Sequence, residues 1–155
     1  MGHSADSPGI HFPPPLFAAF AVLLGWWLQR RWPMPTPEGL GREVPGWALV
    51  ALAFALMISG MVTLRKHRTT LRPDKGATTL VQSGPYAFTR NPLYLSLALA
   101  TPGLGFLLRS PWIFVLWPFL VLILDRAVIA KEERHLDAAF GEAYADYKGR
   151  VRRWI

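Results

Sequence analysis

The sequence predicts an all-α integral membrane protein with about four transmembrane helices, a cytoplasmic loop and a carboxyl-terminal amphipathic helix. Three observations carry this. Of the 155 residues, 52% are hydrophobic and 13% aromatic, more than an ordinary soluble domain carries. Four segments, 13–28, 44–64, 92–108 and 110–124, contain no Asp, Glu, Lys or Arg. Trp26, Trp27, Trp32, Trp47, Trp112 and Trp117 sit near segment ends, where an aromatic belt would put them. Spanning hydrocarbon takes about 20 apolar residues, with about 17 as the lower end. Segment 44–64 meets this and 92–108 just does, whereas 13–28 and 110–124 must borrow flanking residues or bend.

The elements follow in order within one domain, residues 1–155. Residues 1–12 read as a flexible polar tail, without the basic start or cleavage site of a secretory signal, so the first apolar segment is expected to stay in the membrane. Pro13-Pro14-Pro15 opens that span. Prolines and glycines across 32–46 predict a short outer loop, because proline forbids a continuous helix there. The second span ends at Arg65, Lys66 and Arg68, whose charges are costly in hydrocarbon. Residues 69–90 carry Arg-Pro, Lys-Gly and Gly-Pro breakers around a short extended piece at 78–81, and a loop of that length tends to be functional. Asn91-Pro92 then starts the third span, Asn as an N-cap and Pro in the first turn, where its missing donor is not needed. Arg109-Ser110-Pro111 turns the chain into the fourth span, forming an antiparallel hairpin that returns Asp125 and Glu133 to the level of Asn91. In the tail, Leu136, Phe140, Tyr144 and Tyr147 share a helical face interrupted at Gly141.

The net charge of +7 would suit nucleic acid, but its distribution points to a membrane instead. With four spans, the middle loop and tail hold Arg65, Lys66, Arg68, Arg72, Lys75, Arg90, Arg126, Lys131, Arg134, Lys148, Arg150, Arg152 and Arg153, against Arg30, Arg31, Arg42 and Arg109 on the other side. The positive-inside bias therefore predicts a multi-pass inner-membrane protein whose loop and tail face the cytoplasm and its anionic lipid head groups. Nucleic acid is not an expected partner. Cysteine is absent, which excludes disulfides, thiolate metal sites and cysteine nucleophiles. The four histidines show no paired metal spacing, and no phosphate loop, nucleophile elbow or dinucleotide fingerprint appears.

Two polar clusters remain. In the first, Gly84-Pro85 permits a turn exposing backbone amides, Tyr86 and Phe88 supply aromatic faces, and Asn91 stands at a helix start whose positive dipole end suits an anion. The second is Glu132-Glu133. Adjacent helical residues point about 100° apart, so the two acids divide their roles, one toward the site and one toward water or a basic neighbour. Seven-residue spacing puts Arg126 with Glu133, and Asp125 with Glu132, on common faces. Read alone, Asn91 only caps, the acids only end a helix, and Gly103-Leu104-Gly105 only permits close helix contact beside a Pro102 kink.

Taken together these residues resemble the family of isoprenylcysteine carboxyl methyltransferase and the phospholipid N-methyltransferases, small membrane enzymes that use S-adenosylmethionine. The match is to G-x-Y-x-x-x-R-[HN]-P-x-Y, here Gly84 to Tyr94, then a helical hairpin, Glu132-Glu133, and F-G-x-x-Y-x-x-Y, here Phe140 to Tyr147, with a basic end. It covers about residues 69–155, and the first two spans carry almost no family signal. The resemblance implies that segments 69–91 and 126–155 form a cytoplasmic cofactor site for S-adenosylmethionine. Gly84, Pro85, Tyr86, Arg90, Asn91, Pro92, Tyr94 and Glu133 would bind the cofactor, with Gly103 and Gly105 as the family's G-x-G motif and Tyr144 and Tyr147 as aromatic faces for its cation. The acceptor would be a lipophilic small molecule such as a prenylcysteine-like carboxylate, oriented by Arg126 or Arg150, with Glu132 as base should the acceptor be an amine or thiol. The chain departs from the prenylcysteine enzymes in having Asn91 for His and Val128 where they place an Arg. A non-catalytic scaffold and a methyltransferase for a small thiol or amine are the competing expectations.

Overall fold

The computed structural model describes residues 13–36, 43–67 and 79–155, and among them every regular element is helical. The expected tail at 1–12, residues 37–42 of the expected outer loop and residues 69–78 of the expected loop at 69–90 lie outside the described residues. The order is α1 (Pro14–Arg31), α2 (Glu43–Lys66), a short 3-10 turn (Gly84–Ala87), α3 (Pro92–Leu107), α4 (Pro111–Ile123), a π-helical segment (Leu124–Ile129), α5 (Ala130–Phe140) and α6 (Glu142–Arg150).

Local chemistry explains the boundaries. α1 begins with proline in its first turn and ends with Arg30 and Arg31, cations that complement the negative end of the helix dipole. α2 starts at Glu43, inside the stretch expected to be loop through Gly46. Pro45 is tolerated because it occupies the first turn, where no hydrogen bond is lost. Glu43 at one end and Arg65 and Lys66 at the other again oppose the dipole. Arg109, at φ 54°, makes the tight turn between α3 and α4. Gly141 separates α5 from α6 at φ 51°, a conformation that side chains with a Cβ seldom adopt.

Small residues set the packing. α3 runs antiparallel to α2: Gly60 sits against Leu93 and Pro92, and Gly46 against Leu107 and Phe106. α1 runs antiparallel to α4, where Gly25 lies so close to Ile113 that a Cβ would stand 3.0 Å from its backbone nitrogen. Ala18, Ala21, Leu120, Leu124 and Val128 form the buried core, with Tyr94, Leu97 and Trp154 packed on it. Large apolar residues face outward: Phe20 is 65% exposed and Phe119 61%.

Pro102, inside α3, leaves a gap in the helix bonding that has a specific repair. Proline lacks the N–H that would reach the Ala98 carbonyl one turn earlier, and Trp117 Nε1 of α4 donates to that oxygen at 2.7 Å. Trp117→Phe is expected to strand the carbonyl and cost about 1–3 kcal/mol, read as a lowered thermal midpoint in detergent. An unchanged midpoint would refute the repair.

α4 does not stop where its apolar run ends. The helix continues through the π-helical segment to Phe140, so Pro111–Phe140 and Glu43–Lys66 are, by length and composition, long and apolar enough to cross a membrane, with α3 a shorter apolar helix. An i→i+5 turn takes up one extra residue. Residues eight apart, rather than seven, are thereby brought to one side, which overturns the expected pairing of Arg126 with Glu133 and of Asp125 with Glu132. Asp125 and Glu133 converge instead.

Candidate functional site

The loop before α3 is shaped by Gly84, at φ +60°, lying under α2 where a Cβ would meet Thr63 Oγ1 at 2.7 Å. Only glycine combines that backbone with that closeness. Pro85 follows in the second position of the 3-10 turn and is buried with Tyr86. His67, just past α2, reaches the Ser83 hydroxyl at 2.9 Å, and the Tyr147 hydroxyl of α6 donates to the Tyr86 carbonyl at 2.6 Å. Burial pushes the Tyr144 and Tyr147 hydroxyls up to about 12, and Tyr86 is raised too, by burial and by Glu132. All three stay neutral at physiological pH.

The expected N-cap is not made. Asn91 has no side-chain capping bond to α3; its Nδ2 donates 3.0 Å to the carbonyl of Arg153. The reason is tertiary: the chain end crosses this loop as a strap and offers a part-buried carbonyl, a partner that only a donor can satisfy. Thr89 Oγ1 donates to the same oxygen at 3.2 Å, and the Arg90 amide donates to the Arg152 carbonyl at 3.0 Å. Pro92 does open α3, as the sequence predicts.

The adjacent acids take different partners. Glu132 accepts the Tyr94 hydroxyl at 2.8 Å. Glu133 lies 3.1 Å from Arg90 Nη1 with both side chains almost fully shielded, at 12% and 11% exposure, and receives Nε and Nη2 of Arg153. The third nitrogen of Arg153 donates to both Asp125 oxygens at 3.1 Å, and Trp154 Nε1 reaches Asp125 at 3.0 Å. These bonds, Glu133 first, raise the Arg153 pKa further above its ordinary value, so its charge is permanent. Arg90 is different. Its Nε and Nη1 are buried without a hydrogen-bond partner, the contact with Glu133 being one of charge at a poor angle.

Of the residues singled out by sequence, Gly84, Pro85, Tyr86, Arg90, Asn91, Pro92, Tyr94, Glu132, Glu133, Tyr144 and Tyr147 come together. Gly103 and Gly105 do not. They lie about 18 Å or more along α3 from Asn91 at 1.5 Å per residue, Gly103 against Val50 and Leu49 of α2 and Gly105 against Phe114 and Ile113 of α4, where they serve helix contact. Arg150 points to the exposed side and donates to Gln82 at 2.8 Å. Arg126 is 76% exposed and lies 3.4 Å from the Asp125 carboxylate. It lines, together with Trp117, Pro118, Val121, Leu122, Asp125 and Trp154, an apolar groove of about 430 Å³.

Arg153, Trp154 and Thr89 are the participants that sequence reasoning missed, and Asp125, placed near Asn91 by the hairpin, was given the wrong partner. The basic chain end was a signal for Arg153, but which of its arginines turns inward has no local signature.

With this geometry in hand, comparisons identify relatives. The chain is 39% identical over 73 residues to the cobalt-zinc-cadmium resistance protein CzcN of Cupriavidus metallidurans, an overlap of 47% of this chain and 33% of that protein. It is 43% identical over 35 residues to an uncharacterized protein of Haemophilus influenzae, covering 23% of this chain and 56% of that one. The chain thus spans about a third and about half of these curated relatives. The phospholipid methyltransferase family matches residues 42–143, taking in α2, which the motif resemblance had left outside, and stopping short of Tyr144 and the strap. A match over that much of the chain, with helices long and apolar enough to cross a bilayer, shows that the chain is a membrane protein belonging to the phospholipid methyltransferase family.

Proposed function

We propose that the chain transfers a methyl group from S-adenosylmethionine to a lipophilic acceptor at the cytoplasmic face of the membrane. One observation carries the reading: the motif loop, the acid pair and the α6 tyrosines, distant in sequence, enclose a buried guanidinium with two donors unused. The residues fit the cofactor's chemistry. Its carboxylate suits Arg90 Nε and Nη1, since unpaired buried donors are costly and an anion would satisfy them. Its cation suits the neutral faces of Tyr86, Tyr144 and Tyr147. Its ammonium group has an acceptor in Glu133.

When bound, S-adenosylmethionine supplies an already activated methyl group, so the protein's own work is alignment and exclusion of water. A carboxylate acceptor needs no base; for an amine or thiol, Glu132 would take the proton, with Tyr94 holding the carboxylate at 2.8 Å. The groove from Trp117 to Trp154, whose lining includes the exposed Arg126 guanidinium, suits an amphiphile whose anionic group pairs with Arg126. Four spans with loop and tail in the cytoplasm accord with the charge distribution.

Titrating the detergent-solubilised protein with S-adenosylhomocysteine is expected to give saturable heat, and membranes incubated with methyl-labelled cofactor are expected to carry label in the lipid fraction. No heat from folded protein would replace this reading with a non-catalytic scaffold. Label confined to the aqueous fraction would replace the lipid with a small thiol or amine.

A further inference from the structure

We infer that Arg153 is a positioning residue that acts through Glu133 to keep Arg90 open for the anionic group of a ligand; the inference rests on reading this cluster as the cofactor site.

The Arg90–Glu133 pair is close but incompletely bonded. Arg90 and Glu133 are oppositely charged, 3.1 Å apart and shielded from water, yet Arg90 Nη1 makes no hydrogen bond to the carboxylate and Nε makes none at all. In isolation such a pair would rotate into the two-pronged arrangement that a guanidinium and a carboxylate prefer. Something holds Glu133 away from it. Arg153 occupies that arrangement: its Nε and Nη2 both donate to Glu133.

Arg153 is fixed in turn from two sides. Its remaining nitrogen donates to both oxygens of Asp125, which the π-helical segment has turned to the Glu133 side of the helix, and Trp154 adds a bond to the same carboxylate. The backbone on either side is tied to the loop, because the Arg152 and Arg153 carbonyls accept from Arg90, Thr89 and Asn91. Asp125 therefore orients Arg153, Arg153 orients Glu133, and Glu133 so held neutralises Arg90 without consuming its donors. The strap lies beyond residue 143, where the family match ends, so the family match does not assign it.

Removing Arg153 frees Glu133 to pair fully with Arg90 and fill the anion position. The effect is specific to the part of a ligand that carries a carboxylate. Calorimetric titration of wild-type, Arg153→Ala and Arg153→Lys proteins with S-adenosylhomocysteine, and with 5′-methylthioadenosine, which lacks the amino-acid portion, tests it. Arg153→Ala is expected to weaken S-adenosylhomocysteine roughly tenfold to a hundredfold, the range for charged hydrogen bonds, and to leave 5′-methylthioadenosine within about twofold. Added methylguanidinium should restore part of the loss. Arg153→Lys, which keeps the charge but offers no planar fork, should fall between and serves if the alanine protein does not fold. Equal weakening of both ligands makes Arg153 merely structural and overturns the inference, as does unchanged or tighter S-adenosylhomocysteine binding. Wild-type protein that binds neither ligand overturns the cofactor site itself.

Discussion

Asn91→Asp is expected to destabilise the protein by about 3 kcal/mol, although the two side chains are nearly the same size. Were Asn91 an N-cap, Asp would be as good or better, since its charge also favours a helix N-terminus. The structure reverses the sign. Asn91 is 8% exposed and uses its amide nitrogen as a donor to the Arg153 carbonyl. Asp, ionised, has no donor and would face that carbonyl as a second acceptor, leaving a buried charge unpaired at that contact. Asn91→His, the residue of the prenylcysteine enzymes, retains a ring donor and should be the milder change. Thermal unfolding of the three proteins in one detergent checks the order, and a stabilised Asp variant would return Asn91 to the role of a cap.

Glu133→Ala is expected to be the most damaging single substitution in the cluster, costing about 3–5 kcal/mol and abolishing measurable binding of S-adenosylhomocysteine. Breaking a buried ion pair by removing one partner costs this much because the other charge stays buried, and here Arg90, 11% exposed, loses its only charge partner among the described residues. Arg153 retains Asp125, so part of the strap should survive. The double variant Glu133→Ala/Arg90→Ala separates the two contributions. It should be more stable than Glu133→Ala alone, since the stranded charge is gone, while still failing to bind. A Glu133→Ala protein that folds and binds normally would remove Glu133 and Arg90 from the site together.

Much of the architecture was legible in the chain. Helix positions followed from uncharged apolar runs, and their ends from Pro13, Pro92, Pro111 and Gly141. That the loop before α3 meets the acid pair followed from the hairpin, and Tyr94 with Glu132 and Arg90 with Glu133 lie within bonding reach. Where the structure departs from the sequence reading, the causes are physical. Gly103 and Gly105 resemble a cofactor motif, but small residues in apolar helices equally permit close backbone approach, and each faces a neighbouring helix. Asn91 looked like a cap because its identity and place before Pro92 match one, whereas its partner lies more than sixty residues away.

What the sequence by itself determined is the helical class, the boundaries marked by proline and glycine and the residue types available for chemistry, because these depend on periodicity, proline, glycine and charge within a few residues. Only the tertiary structure decided which groups pair. A single π turn shifted the register that spacing alone assigns, bringing Asp125 rather than Arg126 beside Glu133. The chain end then returned to lay Arg153 between them. Both outcomes balance hydrogen bonds and charges across the whole fold, and a local pattern holds no record of a partner that arrives from its far end.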